Sequence, residues 1–476
     1  MESSTKRILA VVLIAVIGVG IGVGAWVFLG MEEAADYKVP GAPSGYTDDQ
    51  IIKIGCLGDT GDVTGEGNWK GAYLAAKEIN ELGGVATPNG TMYFGITTEN
   101  TYEAEPFLDT TKAELAVERL LTVKDPHYVI GGFRTEATAA VSDNIYNAKK
   151  LFMITGAASD SLLQLVQPNY TTHKYLFRVM PINSSSLAKE IVKFYIYGIA
   201  PALEDALGVP VTNVAIIRES LAWTIPMSYV LNGYYAAYGY WGLNNNPIFN
   251  FTIVDEIDYP ITATSTDFTG YLNQFTSSGA QLVCPIISAQ GGIKMMTQYN
   301  ELNPDYMIAG IDVISQLGDD PDDPTGFWHD TNGGCAYEIL MQSCTRTNKT
   351  TQTIAFWDAY RALWNKDPLY TAVGAYGAIN MLKWAIETAG SIDCDDLIPV
   401  LETIDVSNPM EGPGGNVAFN ANHDLFEGYN PVSEEIFSVT LWVQWLANGT
   451  KGVVTSGGEI YPEWIVDAAI QIPPWI

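Results

Sequence analysis

From residue 51 onward the chain alternates two hydrophobic patterns. Short continuous apolar runs, IIKIGCLG (51–58), TMYFGITTE (91–99), HYVIGGF (127–133) and KLFMITGA (150–157), read as strands buried on both faces. Between them, WKGAYLAAKEINELGG (69–84), DTTKAELAVERLLTVKD (109–125) and TEATAAVSDNIYNAK (135–149) carry apolar residues every three or four positions and read as amphipathic helices. Gly83-Gly84 stops the first of these. Strands separated by helices of this length form βαβ units, hence a parallel sheet covered on both sides.

A second series of the same kind starts near YLFRVMP (175–181). A helix over 184–197 is followed by strands at 211–219, 248–257, 280–287 and 305–312, with helices at 226–239, 266–278 and 292–302 between them. Two long helices (353–364 and 371–390), a further helix and a β-rich tail (437–454) complete the chain. A chain of 476 residues exceeds what one core organises. The expectation is therefore two doubly wound α/β lobes.

The N-terminus follows a different rule. Lys6 and Arg7 precede an unbroken apolar run over 8–29, long enough to span a bilayer as one helix. The run ends in LGMEEAADY without a small-x-small cleavage pattern, and no lipobox cysteine lies near it. Basic residues before it and Glu32, Glu33 and Asp36 after it predict a cytoplasmic N-terminus at 1–7, a transmembrane anchor at 8–29 and an outside location for the rest. Residues 30–50 form a linker, Pro/Gly/Ser-rich from Tyr37 on. Six Asn-x-Ser/Thr sequons (Asn89, Asn169, Asn183, Asn250, Asn348, Asn448) accord with an extracytoplasmic glycoprotein.

Composition narrows the function. A formal charge of −30, with 16% charged residues and no basic cluster, excludes nucleic acid as a partner. The acidic loop 319–326 (DDPDDPTG) lacks the ligand order of a calcium-binding loop and reads as solvated, though its 319–323 carboxylates leave calcium open. Five cysteines show no C-x-x-C spacing. Cys335 and Cys344 flank a short segment and either close a hairpin in an oxidising compartment or stay reduced. No cofactor motif is present. The turn GDTGDVTGEGN (58–68) fits neither dinucleotide nor P-loop patterns, and Asp59, Asp62 and Glu66 would repel a phosphate there. The four histidines are scattered, and GxSxG and HExxH are missing, so nothing points to an enzyme.

Open α/β sheets bind ligands beyond the carboxyl ends of their strands. Two polar turns stand there side by side. In FRTEAT (133–138), Thr135 is placed as an N-cap, its hydroxyl and neighbouring N–H groups suited to a carboxylate. In TGAASDS (155–161), Ala158 and Ser159 occupy the equivalent position.

The stretches IKIGCLGDTGDVTGEGNWKGAYLAAKEINELGGV and YVIGGFRTEATAAVSDNIYNAKKLFMITGAASDSL resemble the leucine/isoleucine/valine-type periplasmic binding proteins, the branched-chain amino-acid receptors of ABC transporters. YLFRVMPINSSS resembles their crossover into the second lobe, and the likeness runs in order over about 51–390. It implies a type I periplasmic-binding fold, two parallel-sheet lobes joined by three hinge crossovers: lobe 1 at 51–181 and 313–405, lobe 2 at 182–312 and 406–476.

It also implies that Thr135 holds an α-carboxylate, that the Ala158–Ser159 turn shares that carboxylate and accepts from the α-ammonium, that Trp223 lays a ring over the ligand, and that Asp312 pairs with the ammonium. For Asp312 a hinge carboxylate satisfied by backbone is the alternative. Arg134 stands where the family more often has a small or apolar residue; it anchors an extra acidic group or points outward. The implied function is binding, without catalysis, of an amino acid or related small zwitterion or amide, and delivery to ABC permease subunits. The alternative is a sensing ectodomain that signals through a partner.

Overall fold

The computed structural model describes residues 37–238, 251–288, 291–318 and 326–476. The expected 1–7 segment and anchor at 8–29, the first part of the 30–50 linker, the sequon at Asn250 and the acidic 319–323 loop lie outside the described residues. Among the described residues no helix is long and apolar enough to cross a membrane.

The first sheet has the order β2-β3-β1-β4-β5-β6. Its strands are β1 (Ile51–Gly58), β2 (Val85–Thr87), β3 (Gly90–Asn100), β4 (Tyr128–Gly131), β5 (Leu151–Ile154) and β6 (Leu176–Arg178). All pairings are parallel except β2 with β3. Helices α1 (Val63–Glu81), α2 (Thr110–Arg119) and α3 (Thr135–Asn147) connect them. Strands β1, β4 and β5 are buried almost throughout, as the continuous apolar runs required.

Chain 182–342 builds most of the second lobe. Helix α4 (Ser184–Phe194) runs through a π turn into α5 (Ala200–Leu207). Strands β7 (Asn213–Glu219), β8 (Thr252–Tyr259), β9 (Leu282–Ile287) and β10 (Met307–Asp312) alternate with α6 (Thr224–Tyr238), α7 (Ser265–Ser278) and α8 (Gly292–Leu302).

The sheet does not end at β10. Strand β11 (Ile339–Gln342) pairs parallel to β10, with Ala309 opposite Ile339. The expected lobe boundary at 312/313 is thus corrected: the chain leaves this lobe only after β11, some thirty residues later.

Helices α9 (Thr353–Trp364), α10 (Tyr370–Ala389) and α11 (Cys394–Leu401) return to lobe 1, where α10 packs along α1. A Cβ at Gly71 would stand 2.1 Å from the Ala372 carbonyl, so glycine sets that close approach.

The next segment also departs from its expected place in lobe 2. A small sheet follows, made of β12 (Met410–Gly412), β13 (Gly415–Val417), β14 (Gly428–Asn430) and β15 (Glu435–Phe437). Its 417–425 connection sits on β6: Phe419 and His423 both pack on Phe177, and Arg178 N–H donates to the His423 carbonyl at 3.0 Å. Beyond it, β16 (Leu441–Trp445) rejoins lobe 2 antiparallel to β11, β17 (Lys451–Val453) pairs antiparallel with β16, and the tail follows them, Trp475 Nε1–H donating to the Pro304 carbonyl at 3.2 Å.

Three crossovers therefore join the lobes, near 179–183, 343–349 and 438–440. Buried Lys349 ties the last two together, its ammonium donating to the carbonyls of Ser343 (2.8 Å), Gly414 (2.7 Å) and Val439. Cys335 and Cys344 form no disulfide. Extended β11 lies between them and delivers each to a different hydrophobic cluster. Asn89, Asn169, Asn348 and Asn448 are exposed. The Asn183 side chain instead caps α4, accepting from Ser186 N at 2.9 Å and donating to Asp424 at 3.2 Å.

Candidate functional site

The carboxyl ends of both parallel sheets face a cavity between the lobes, with an empty volume of about 530 Å³ counting the space open to solvent. Lobe 1 contributes Phe133, Arg134, Gly156, Ala158 and Tyr370; lobe 2 contributes Trp223, Ser288, Ile311, Val313 and Met341; the crossovers supply Pro181, Ser343 and Thr440. The walls are mostly aromatic and aliphatic with a few convergent polar groups, the usual character of a small-molecule site.

Each wall has a local cause. After β4, Gly131 and Gly132 adopt φ of 135° and 81°, which only glycine takes freely, and the turn they make aims Phe133 and Arg134 at the cleft. After β5, the Ala158–Ser159 turn is held from behind by fully buried Arg178. Its guanidinium donates to the carbonyls of Ala158 (2.5 Å) and Ser159 (2.6 Å) and pairs with Asp424 at 3.2 Å. Trp223 opens α6, its indole N–H fixed on Glu219 Oε1 at 2.9 Å. A cross-lobe bond, Ala222 N–H to Glu136 Oε1 at 2.8 Å, draws the two walls together.

Of the six residues expected at the site, Arg134, Ala158 and Trp223 line this cavity. Thr135 is buried beside it as the first residue of α3 and not its N-cap, a place Arg134 takes; its hydroxyl has no hydrogen-bond partner among the described residues. Ser159 is buried too, but its hydroxyl turns to Ser161 and caps a short 3₁₀ turn.

Asp312 is the clear departure. Strand alternation turns Ile311 and Val313 to the cavity and Asp312 away, against the start of α8, where a Cβ on Gly292 would meet its carboxylate at 2.1 Å. There it is fully buried and faces Glu338. Burial first, and then the Glu219 carboxylate, push Asp312 up to about 7. Burial and the Asp312 charge hold Glu338 well above the usual range. An ammonium in the cavity would not meet this carboxylate.

Sequence reasoning passed over two carboxylates that do stand at the cleft. Glu219 ends β7, the position at which a strand's last residue faces a ligand, and burial raises it to about 7 despite hydrogen bonds from Ser288 and Trp223. Glu103 is fully buried and accepts from Phe133 N (3.1 Å), Arg134 N (2.8 Å) and the Thr101 hydroxyl (3.0 Å); burial nonetheless leaves it raised to about 7. The Arg134 guanidinium is directed back to the carbonyls of Glu103 (3.3 Å) and Glu105 (3.2 Å), while its Nε is buried without a partner among the described residues. Among the described residues no group of three or more histidines, cysteines or carboxylates is arranged to hold a metal ion.

Comparison with known proteins agrees with this architecture. The chain is similar to the branched-chain amino-acid transporter substrate-binding protein LivJ from Streptococcus pneumoniae, solved with isoleucine: TM-score 0.63 and 19% identity, covering 85% of this chain and 99% of that one. It is similar as well to the leucine-binding protein LivK from Thermotoga maritima (TM-score 0.63, 14% identity, 87% and 99% covered). A solute-binding protein of an ABC transporter from R. palustris, solved with benzoate, matches at TM-score 0.63 and 13% identity over 88% of this chain and 99% of that one. No curated protein sequence is a significant match. The family model described as periplasmic binding protein matches residues 51–430. With two doubly wound lobes, three crossovers and a cleft at the strand ends, the chain belongs to the periplasmic binding protein family.

Proposed function

We propose that this protein is the extracytoplasmic solute receptor of an ABC transporter and binds an amino acid, or a related small zwitterion or amide, between its lobes. One observation carries the reading: an aromatic-walled cavity lies where the strand ends of two lobes meet across three crossovers. A site shared by two bodies on such a hinge favours the closed form when filled. The walls suit an apolar side chain under Trp223 and Tyr370, with polar atoms of the ligand toward Arg134, Thr135 and the Ala158–Ser159 turn. Its role is binding and delivery to membrane permease subunits, without catalysis, from an N-terminal anchor. Proteins of the same fold bind isoleucine in one case and benzoate in another, so the ligand class is the part that needs direct measurement.

A thermal-shift screen of the full chain against the standard amino acids, small amides and aromatic acids tests the reading. Stabilisation growing with the concentration of an amino acid or amide is the expected result. Stabilisation by aromatic acids alone would keep the receptor and replace its ligand class. A shift with no compound would overturn the reading.

A further inference from the structure

A smaller recess shares Phe133, Arg134 and Ser288 with the main cavity as walls and is lined also by Asp62, Glu103 and Glu219. Glu219 is fully buried. Its Oε1 accepts from Trp223 Nε1–H and from Ser288 N–H, both at 2.9 Å, whereas Oε2 is buried with no partner among the described residues. An acceptor-only oxygen stripped of water and left bare is unfavourable until a donor reaches it. Arg134 is the cation lining the recess, and its guanidinium turns to backbone carbonyls and makes no ion pair with Glu219. Beside Arg134 the recess carries three carboxyl groups, so its balance turns negative as Glu103 and Glu219 ionise near pH 7, and a positive donor that draws them into the ionised form is favoured over a second anion.

We infer that Glu219, and not Asp312, is the residue that receives a protonated amine of the ligand, and that this recess selects for an ammonium group joined to an apolar body. The inference rests on the receptor reading and deepens it. Trp223 sets the spacing: one hydrogen bond locks its ring, a wall of the apolar cavity, to the carboxylate that faces the recess. An amine and an apolar group a few bonds apart on the ligand meet both at once. The amine donates N–H to Oε2, and the ammonium and carboxylate form a charge-assisted pair away from water. Glu219 feels Arg134, Asp312, Tyr259 and Tyr370. Because burial holds the empty site's carboxyl near 7, pairing with an ammonium below that pH releases a proton to the buffer.

The test is calorimetric titration of the full chain with matched probes: L-leucine and L-phenylalanine against 4-methylpentanoate and 3-phenylpropanoate, which lack only the amine. The expected result is binding of an amine-bearing probe at least about tenfold tighter than its partner, with proton release at pH 6.5 seen in two buffers of different ionisation heat. Glu219→Gln keeps an acceptor for Trp223, so melting stays close to wild type while amine affinity falls at least about thirtyfold. Asp312→Asn leaves that affinity within about threefold. Equal or tighter binding of the amine-less acids, or unchanged amine affinity in Glu219→Gln, would overturn the assignment and leave the receptor standing. Binding of neither set by the wild type would overturn this inference, whereas the receptor reading falls only if the whole thermal-shift screen is silent.

Discussion

Replacing Arg178 by leucine removes a cation fully buried between the Ala158–Ser159 turn and the 417–425 segment. Two charge-assisted bonds to carbonyls are lost, at about 1.5–3 kcal/mol each. Asp424 stays behind with only Leu425 N–H (2.9 Å) and the Asn183 amide (3.2 Å) against its carboxylate. Relief of the guanidinium's own desolvation offsets part of this, so the net loss is about 3–5 kcal/mol. Equilibrium urea unfolding of the full chain at pH 7 reads it directly; with a slope of about 3 kcal/mol per molar, the midpoint drops by about 1–1.7 M. The double variant Arg178→Leu/Asp424→Asn should lose less than the sum of the single changes, by at least about 1 kcal/mol, because the two groups share one buried interaction. Ligand affinity should fall with stability, since the turn that Arg178 moors lines the cavity. A loss under about 1 kcal/mol, or strict additivity, would refute the view that this pair organises the site.

Two further outcomes follow from buried charges. Lys349→Met frees three carbonyls, two in the crossovers and one (Gly414) in the small sheet, and should cost about 3–5 kcal/mol in the same assay, with Lys349→Arg costing no less because the planar fork does not match three converging acceptors. The pH dependence has a definite sign. Glu103, Glu219 and Asp312 are raised to about 7 and Glu190 to about 8 in the fold, chiefly by burial. The folded chain therefore keeps protons that the unfolded chain releases above about pH 4.3, and this stabilisation, full at low pH, is lost as pH rises through 7 to 8. Each such group contributes up to about 1.4 kcal/mol per pH unit, so melting temperature should fall between pH 6.5 and 8. His127, lowered to about 4, acts only below that window; Lys349, lowered to about 8, opposes the trend only at its upper end. A flat or rising profile would contradict these burial assignments.

The fold was legible where the chain writes long patterns. Continuous apolar strands such as 51–58 and helices such as 371–390 stand out because both faces of a parallel sheet, and the stripes laid on it, must be apolar. Short elements were not legible. Strand β11 has four residues and the small sheet at 410–437 is built of three-residue strands, so neither shows a period, and the lobe boundaries were placed too early.

At the site, turns after β4 and β5 announced themselves through glycine and hydroxyl residues, which brought Arg134 and Ala158 into view. Asp312 misled because a doubly buried strand gives no alternation from which to read a face. Glu219 was visible as the last residue of a strand, yet its importance comes from burial and from Trp223 folding back onto it, which spacing along the chain does not encode. Arg178 and Lys349 resemble any surface cation in sequence; only packing across more than sixty residues makes them structural.

The central claim, that a small solute binds in the cavity between the lobes, is tested most directly by blocking that cavity. Ala158→Phe adds a ring to a wall residue of the cleft. Calorimetric titration should show saturable one-to-one binding of an amino acid or amide to the wild-type chain, and none to Ala158→Phe at the same concentrations, with melting of the unliganded variant within a few degrees of wild type. Equal affinity in the two proteins would place the ligand elsewhere and contradict the account.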